Sequence, residues 1–319
     1  MSHAAWKIVL SRKGFDSKSG GYASPIFPNG RVFSLTIWYE PGARKRYCDI
    51  NSGVGLENAD TGTVIEQLTA GKMHRDALAH LDPDLDACAI PRLPGWRPAF
   101  GQSGTQQQHL INQMVGVGDL FLFHGWFREV VRNDKGRWQF RRGAPDLNVI
   151  FGWMQVGEVI DIKRLSGDRL VERYPWLTDH PHVRMGEEME AKSPSDAIYL
   201  AADKLRLPQV SSNNLPGAGV FRRFDPRLVL TAPDAPGRSV WRLPNWFKGG
   251  PDRPWMTQYP NPGWWTDLGD SVLLRPVGRQ GQEAVLDCTN RPEAGPWLAS
   301  LIELASKPPQ SKAGTQVQL

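Results

Sequence analysis

Hydrophobic positions along this chain fall in short dense runs, the first being Lys7-Ile8-Val9-Leu10. Runs of this length, bounded by Gly, Pro and charged residues, read as buried strands, and helical spacing of apolar residues is scarce. The pattern predicts strands over residues 7–11, 31–38, 119–131, 137–142, 149–162, 197–201, 228–231, 272–275 and 284–287. Residues 119–131 and 149–162 are apolar on both faces, as central strands are. Asn133-Asp134-Lys135-Gly136 supplies turn residues between them, so residues 119–162 are expected to form an antiparallel meander. Two helices are expected. One covers 105–115 with Leu110, Ile111, Met114 and Val115 on its buried face; the other follows a Thr289 or Asn290 cap and buries Trp297, Leu298, Leu301 and Ile302. The fold class is therefore α+β and β-rich, a central, mostly antiparallel sheet with a few flanking helices. Residues 1–306 read as a single domain, and the polar tail 307–319 as disordered.

Composition narrows the picture. The chain has 319 residues, 40% of them hydrophobic, which is ordinary for a globular protein with a sizeable core. No run approaches the ~20 apolar residues of a membrane helix, and no leader pattern opens the chain, so a cytoplasmic protein is expected. Cys48, Cys88 and Cys288 are far apart and make no Cys-x-x-Cys pair, which leaves neither a disulfide framework nor a thiolate zinc site; buried thiols are expected. A net charge of +5 favours anionic partners such as nucleotides or nucleic acid.

Chemistry concentrates in four places. The first strand runs into Ser11-Arg12-Lys13-Gly14-Phe15-Asp16-Ser17-Lys18-Ser19-Gly20-Gly21. There Arg12 and Lys13 can neutralise a phosphate, Ser17, Ser19, Gly20 and Gly21 can donate hydrogen bonds, and Asp16 can act as a base; a solvated turn uses the same residues. This is not a P-loop, because the Gly-Lys-Ser/Thr ending is missing. His80-Leu81-Asp82-Pro83-Asp84-Leu85-Asp86 alternates carboxylates, and Asp82 with Asp84 can hold a divalent metal or serve as a base; turns built by aspartates are the competing reading. Phe100-Gly101-Gln102 opens a helix, and Gln102 can read an amide or a base edge. Finally, Trp126, Arg128, Arg137, Trp138, Arg141 and Arg142 interleave bases with aromatics around the expected hairpin. That pattern suits nucleic-acid contact, and equally a hairpin that buries its aromatics and solvates its arginines.

These stretches carry a resemblance. Leu10 to Ser17 with Gly20-Gly21, His80-Leu81-Asp82-Pro83-Asp84, Phe100-Gly101-Gln102 with His109-Leu110, Gly118 to Phe123 and Val285-Leu286-Asp287-Cys288 together resemble the nucleotide modification associated domain family, third type. The resemblance implies a role in making, handling or recognising a modified nucleotide in bacterial or phage DNA modification or defence systems, with DNA the favoured target and partner proteins of such a system. No cofactor is specified. The leading expectation is a group-transfer enzyme acting on a nucleotide or nucleobase. Gly118-Asp119 with its aromatic strand and Gln155-Val156-Gly157-Glu158-Val159 is also similar to PUA-like domains. That similarity implies the alternatives of a small PUA-like barrel and of a non-catalytic module that recognises a modified base.

Overall fold

The computed structural model describes residues 6–38, 42–52, 60–162, 164–165, 167–188, 196–210, 214–278 and 280–306. The tail expected to be disordered, 307–319, lies outside the described residues. Strand β1 (Lys7–Arg12) leads to β2 (Ser24–Ile26), β3 (Lys45–Arg46), α1 (Thr61–Leu68), β4 (Leu78–Ala79), β5 (Ala99–Gln102) and α2 (Gly104–Asn112). The long strands β6 (Leu120–Arg132) and β8 (Leu147–Asp161) flank the short β7 (Trp138–Phe140). There follow α3 (Gly167–Arg173), α4 (Pro181–Glu188), β9 (Ala197–Ala201) and β10 (Ala218–Val220). The last elements are β11 (Trp241–Pro244), β12 (Trp265–Asp267), β13 (Ser271–Leu274), β14 (Glu283–Asp287) and α5 (Ala294–Ser306).

The main sheet runs β14-β1-β6-β8-β9-β5, with β2 and β7 paired to β6 and β10 to β8. Among the described residues β1 and β2 run parallel to β6, and the other pairings are antiparallel. Apolar residues at consecutive positions explain why this sheet is the centre. Ile8, Val9 and Leu10 of β1 and Leu120 to Phe123 of β6 are fully buried, so both faces are covered. Leu110 of α2 and Leu298, Leu301 and Ile302 of α5 join the same core. The late tryptophans serve it too: Trp241, Trp246 and Trp265 are buried in that cluster, with Trp255 and Trp264 packed against it.

The sheet curls. Phe100 of β5 meets Phe121 of β6 edge-on with ring centroids 5.0 Å apart, although β8 and β9 lie between these strands in the sheet order. The curl brings the two edge strands face to face, and Gln102 of β5 donates to Glu283 of β14 at 2.6 Å. No ladder joins these edges among the described residues, so the sheet stays open and a PUA-like barrel gains no support. Instead, residues 82–84 run along the free edge of β5 and satisfy its backbone: Asp84 and Ala99 exchange two hydrogen bonds, at 2.8 and 3.0 Å.

Several expectations shift. Residues 31–38 form isolated bridges instead of a strand, because their backbone groups are taken one at a time by different partners: Leu35 donates to the Ser24 side chain and accepts from Phe15 N–H. Residues 228–231 begin in a short 3-10 turn, Pro226–Leu228, and continue as bridges. In the expected meander, β7 and β8 both pair with β6. Three short helices, α1, α3 and α4, were not predicted; α1 is capped by Asp60, whose side chain accepts from Thr63 N–H. Of the three cysteines only Cys288 is buried, while Cys48 is half-buried and Cys88 exposed. Among the described residues no helix is long and apolar enough to cross a membrane.

Candidate functional site

Ionisable side chains gather where the edges of the curled sheet meet. Glu283, the first residue of β14, pairs in register with Ser11 of β1 and is fully buried. Its Oε1 accepts from Ser11 Oγ at 3.1 Å, Lys13 Nζ at 2.8 Å and Gln102 Nε2 at 2.6 Å. Its Oε2 is equally buried and receives no hydrogen bond among the described residues. Lys13 lies over the face of Phe100, 4.6 Å from the ring centroid, so its charge sits between a carboxylate and an aromatic wall. Gln102 is held at both ends, since its Oε1 accepts from Ser103 N–H at 3.0 Å.

One residue earlier on β5, Gly101 faces the other way. A strand alternates its side chains, and here the second face carries histidines. Asp82 Oδ1 accepts from Gly101 N–H at 2.8 Å. The same carboxylate lies 3.4 Å from His180 Nε2 and 3.6 Å from His182 Nε2. Burial pushes the Asp82 carboxyl up, yet the two imidazoles outweigh it and hold it far below the usual carboxylate range. His80 completes the group, its ring 5.2 Å from that of His182, and burial with the neighbouring His182 lowers it to about 3. His80, Asp82 and His182 each place one donor atom within 4.8 Å of the others, the arrangement from which a metal could be held.

The three alternating acids do not converge. Asp84 forms a bidentate pair with Arg92 at 2.5 and 2.6 Å, and burial raises its carboxyl despite that partner. Asp86 pairs with Arg222 at 2.7 Å. In the loop after β1, Asp16 closes its own turn, Oδ1 accepting from Lys18 and Ser19 N–H at 2.7 and 2.8 Å. Its Oδ2 stands 3.8 Å from Arg12 Nε. Gly20, at φ +88°, leaves room for Phe15, and Gly21 follows at φ +76°. Ser17 accepts from Arg238, whose guanidinium stacks over Trp126 at 4.2 Å, so the loop meets one aromatic of the β6 region through an arginine the sequence reading missed. Ser19 lies within the same turn, half-buried.

The basic hairpin stands apart from this seam. Trp138 is buried against Phe27 and beneath Arg132; Arg141 pairs with Glu129 at 2.7 Å; and Arg128 lies 3.9 Å from Asp146. Arg137 and Arg142 are exposed. Gly125 admits a close approach, but of backbone: a Cβ there would meet the Lys13 carbonyl oxygen at 2.7 Å. His124 is buried beside it, edge-on to Trp241.

Sequence reading singled out Lys13, Asp82 and Gln102 but missed Glu283, His180 and His182. A clue was present, for Asp179-His180-Pro181-His182 sets two of the chain's seven histidines two positions apart. Glu283 offers no such clue, being one acid at the start of an apolar run. Compared with known families, residues 7–287 match the model of nucleotide modification associated domain 3. No curated protein and no solved structure matches the chain.

Proposed function

The chain belongs to the nucleotide modification associated domain 3 family, and on that premise we propose that it is a group-transfer enzyme acting on a nucleotide or a DNA base. The observation that carries this reading is Glu283, a fully buried carboxylate with three donors on one oxygen and, among the described residues, none on the other. Buried charge is costly, and a surface that only grips a phosphate backbone has no need of it. In this reading the free oxygen takes a proton or orients a base amino group, and Lys13 holds the carboxylate in place. Arg12 and Arg238, on either side of the loop at Asp16 and Ser17, serve the anionic part of the substrate. Asp82 lies one strand residue away, on the opposite face of β5.

A non-catalytic module is the second reading, favoured by the exposed Arg137 and Arg142 on the hairpin. Mass spectrometry of nucleosides, from host DNA and from oligonucleotides incubated with the purified chain, separates the two. Glu283→Gln and Arg12→Ala are expected to abolish a modification that the wild type makes. Full modification by a folded Glu283→Gln variant refutes the transfer reading. Oligonucleotide binding without turnover, with a salt slope flattened by Arg137→Glu and Arg142→Glu, would install the module in its place.

A further inference from the structure

We infer that His80, Asp82 and His182 together hold a divalent first-row transition-metal ion. One donor atom from each lies within 4.8 Å of the other two. Two imidazoles and a carboxylate suit such an ion better than magnesium or calcium, whose shells are built from oxygen. Two distant stretches assemble the set: residues 80–82 beside the edge of β5, and His182 in the first turn of α4.

Hydrogen bonding supplies an independent line. The contacts of Asp82 with His180 and His182, at 3.4 and 3.6 Å, are too long for good hydrogen bonds. His182 Nδ1 and both ring nitrogens of His180 are buried without a hydrogen-bond partner among the described residues. Buried polar atoms left this way are uncommon; coordination by His182 gives a use to a lone pair of that imidazole alone, and the two nitrogens of His180 lie beside the site. The Gly101 N–H bond on Asp82, by contrast, is well made at 2.8 Å and is of the kind that orients a ligating carboxylate.

The chain also makes room. A Cβ on Gly101 would fall 2.2 Å from Cδ2 of His182, so only glycine lets this imidazole lie against the strand. A bound ion holds its donors at about 2.0–2.2 Å, so binding draws the three side chains inward. His180, with Nε2 3.4 Å from the Asp82 carboxylate, is a neighbour of the set and not one of its three donors. Three protein ligands leave coordination positions for water or a substrate oxygen. The inference deepens the group-transfer reading and rests on it only for what the ion is used for.

Equilibrium dialysis of the full chain against Zn²⁺ or Co²⁺, read by elemental analysis and by the visible bands of Co²⁺, is expected to give one ion per chain. His80→Gln, Asp82→Asn and His182→Gln, which remove donors, are each expected to weaken binding by more than about 100-fold, the upper end for changes outside the ligand set, and His180→Gln by about 10-fold. His109→Gln, in α2 and bonded to Thr257, is expected to leave it unchanged. No binding to the folded wild type, or stoichiometric binding that survives His182→Gln, overturns the site. Should the variants fail to fold, X-ray absorption of the zinc-loaded wild type decides: imidazole scattering is expected, and a shell without it overturns the inference. An ion bound through these residues without nucleoside modification keeps the site and removes the transfer reading. Modification by a chain that binds no ion does the reverse.

Discussion

Lys13 and Glu283 form the pair on which the seam depends, and a double-mutant cycle measures it. Their side chains are 11% and 0% exposed and meet at 2.8 Å. At an effective dielectric near 20 that separation corresponds to about 6 kcal/mol of gross attraction, much of it offset by desolvation. Removing one partner strands the other. Glu283→Gln leaves the Lys13 ammonium against Phe100 with neutral acceptors, and Lys13→Met leaves the carboxylate with Ser11 and Gln102 alone. Because Lys13 keeps some access to water, each single change is expected to cost about 3 kcal/mol, the low end for a buried pair. The double variant removes both charges and is expected to cost about 3 kcal/mol as well, a coupling near 3 kcal/mol. Urea denaturation at pH 7, followed by circular dichroism with the slope held common, gives the four values. A coupling below about 0.5 kcal/mol would mean that the two sites act independently, and would refute the picture of a coupled buried network.

Two further outcomes follow from backbone and burial. Gly20→Ala and Gly21→Ala both place a side chain at positive φ, but only the first also drives a Cβ to 2.5 Å from the Phe15 ring, whereas the second meets open space. Thermal melts are expected to show a loss of about 1 kcal/mol for Gly21→Ala and 1–3 kcal/mol more for Gly20→Ala; the opposite order would contradict the packing described here. His124 is buried, and burial, then the nearby Arg12 and Lys13, lower it to about 3 from its ordinary 6.5, against a favourable bond with Asn148. Between those values the unfolded chain holds a proton that the native chain does not, so this residue makes stability fall as pH drops. From pH 7 to pH 5 its share is about 2 kcal/mol. Denaturation of His124→Gln at both pH values should show the acid loss smaller by that amount, and an unchanged loss would show that the imidazole is not held neutral.

Much of the sheet is legible in the sequence because its strands are apolar on both faces. Residues 119–131, 197–201 and 284–287 needed no tertiary context to be read, since burial on two sides leaves a continuous hydrophobic run. Helices α3 and α4 were hidden for the converse reason. Among the described side chains, Leu170 of one and Val183 of the other are buried in the core cluster beneath them, and the charges around them resemble a linker. Residues 31–38 mislead in another way: their alternation is strand-like, but Leu35 spends its backbone groups on Ser24 and Phe15, so no ladder forms.

The site was legible only in pieces, and the pieces share a cause. Gln102 and Glu283 are 181 positions apart and occupy opposite edges of the sheet, so nothing local in the sequence relates them; the curl does. Because no ladder among the described residues closes the seam, backbone donors that a closed barrel would use internally remain available there. Gly101 N–H is one of them, and Asp82 takes it. Gln102, next along the strand, turns its amide to the other face and to Glu283. An edge strand left unpaired by its own sheet must be covered to prevent association, and here the cover consists of residues 82–84. The requirement to protect an edge and the presence of buried acids thus arise from the same unclosed sheet. In a closed barrel a ladder would replace the Asp82 bond, and β5 would lose the acid that now covers its edge.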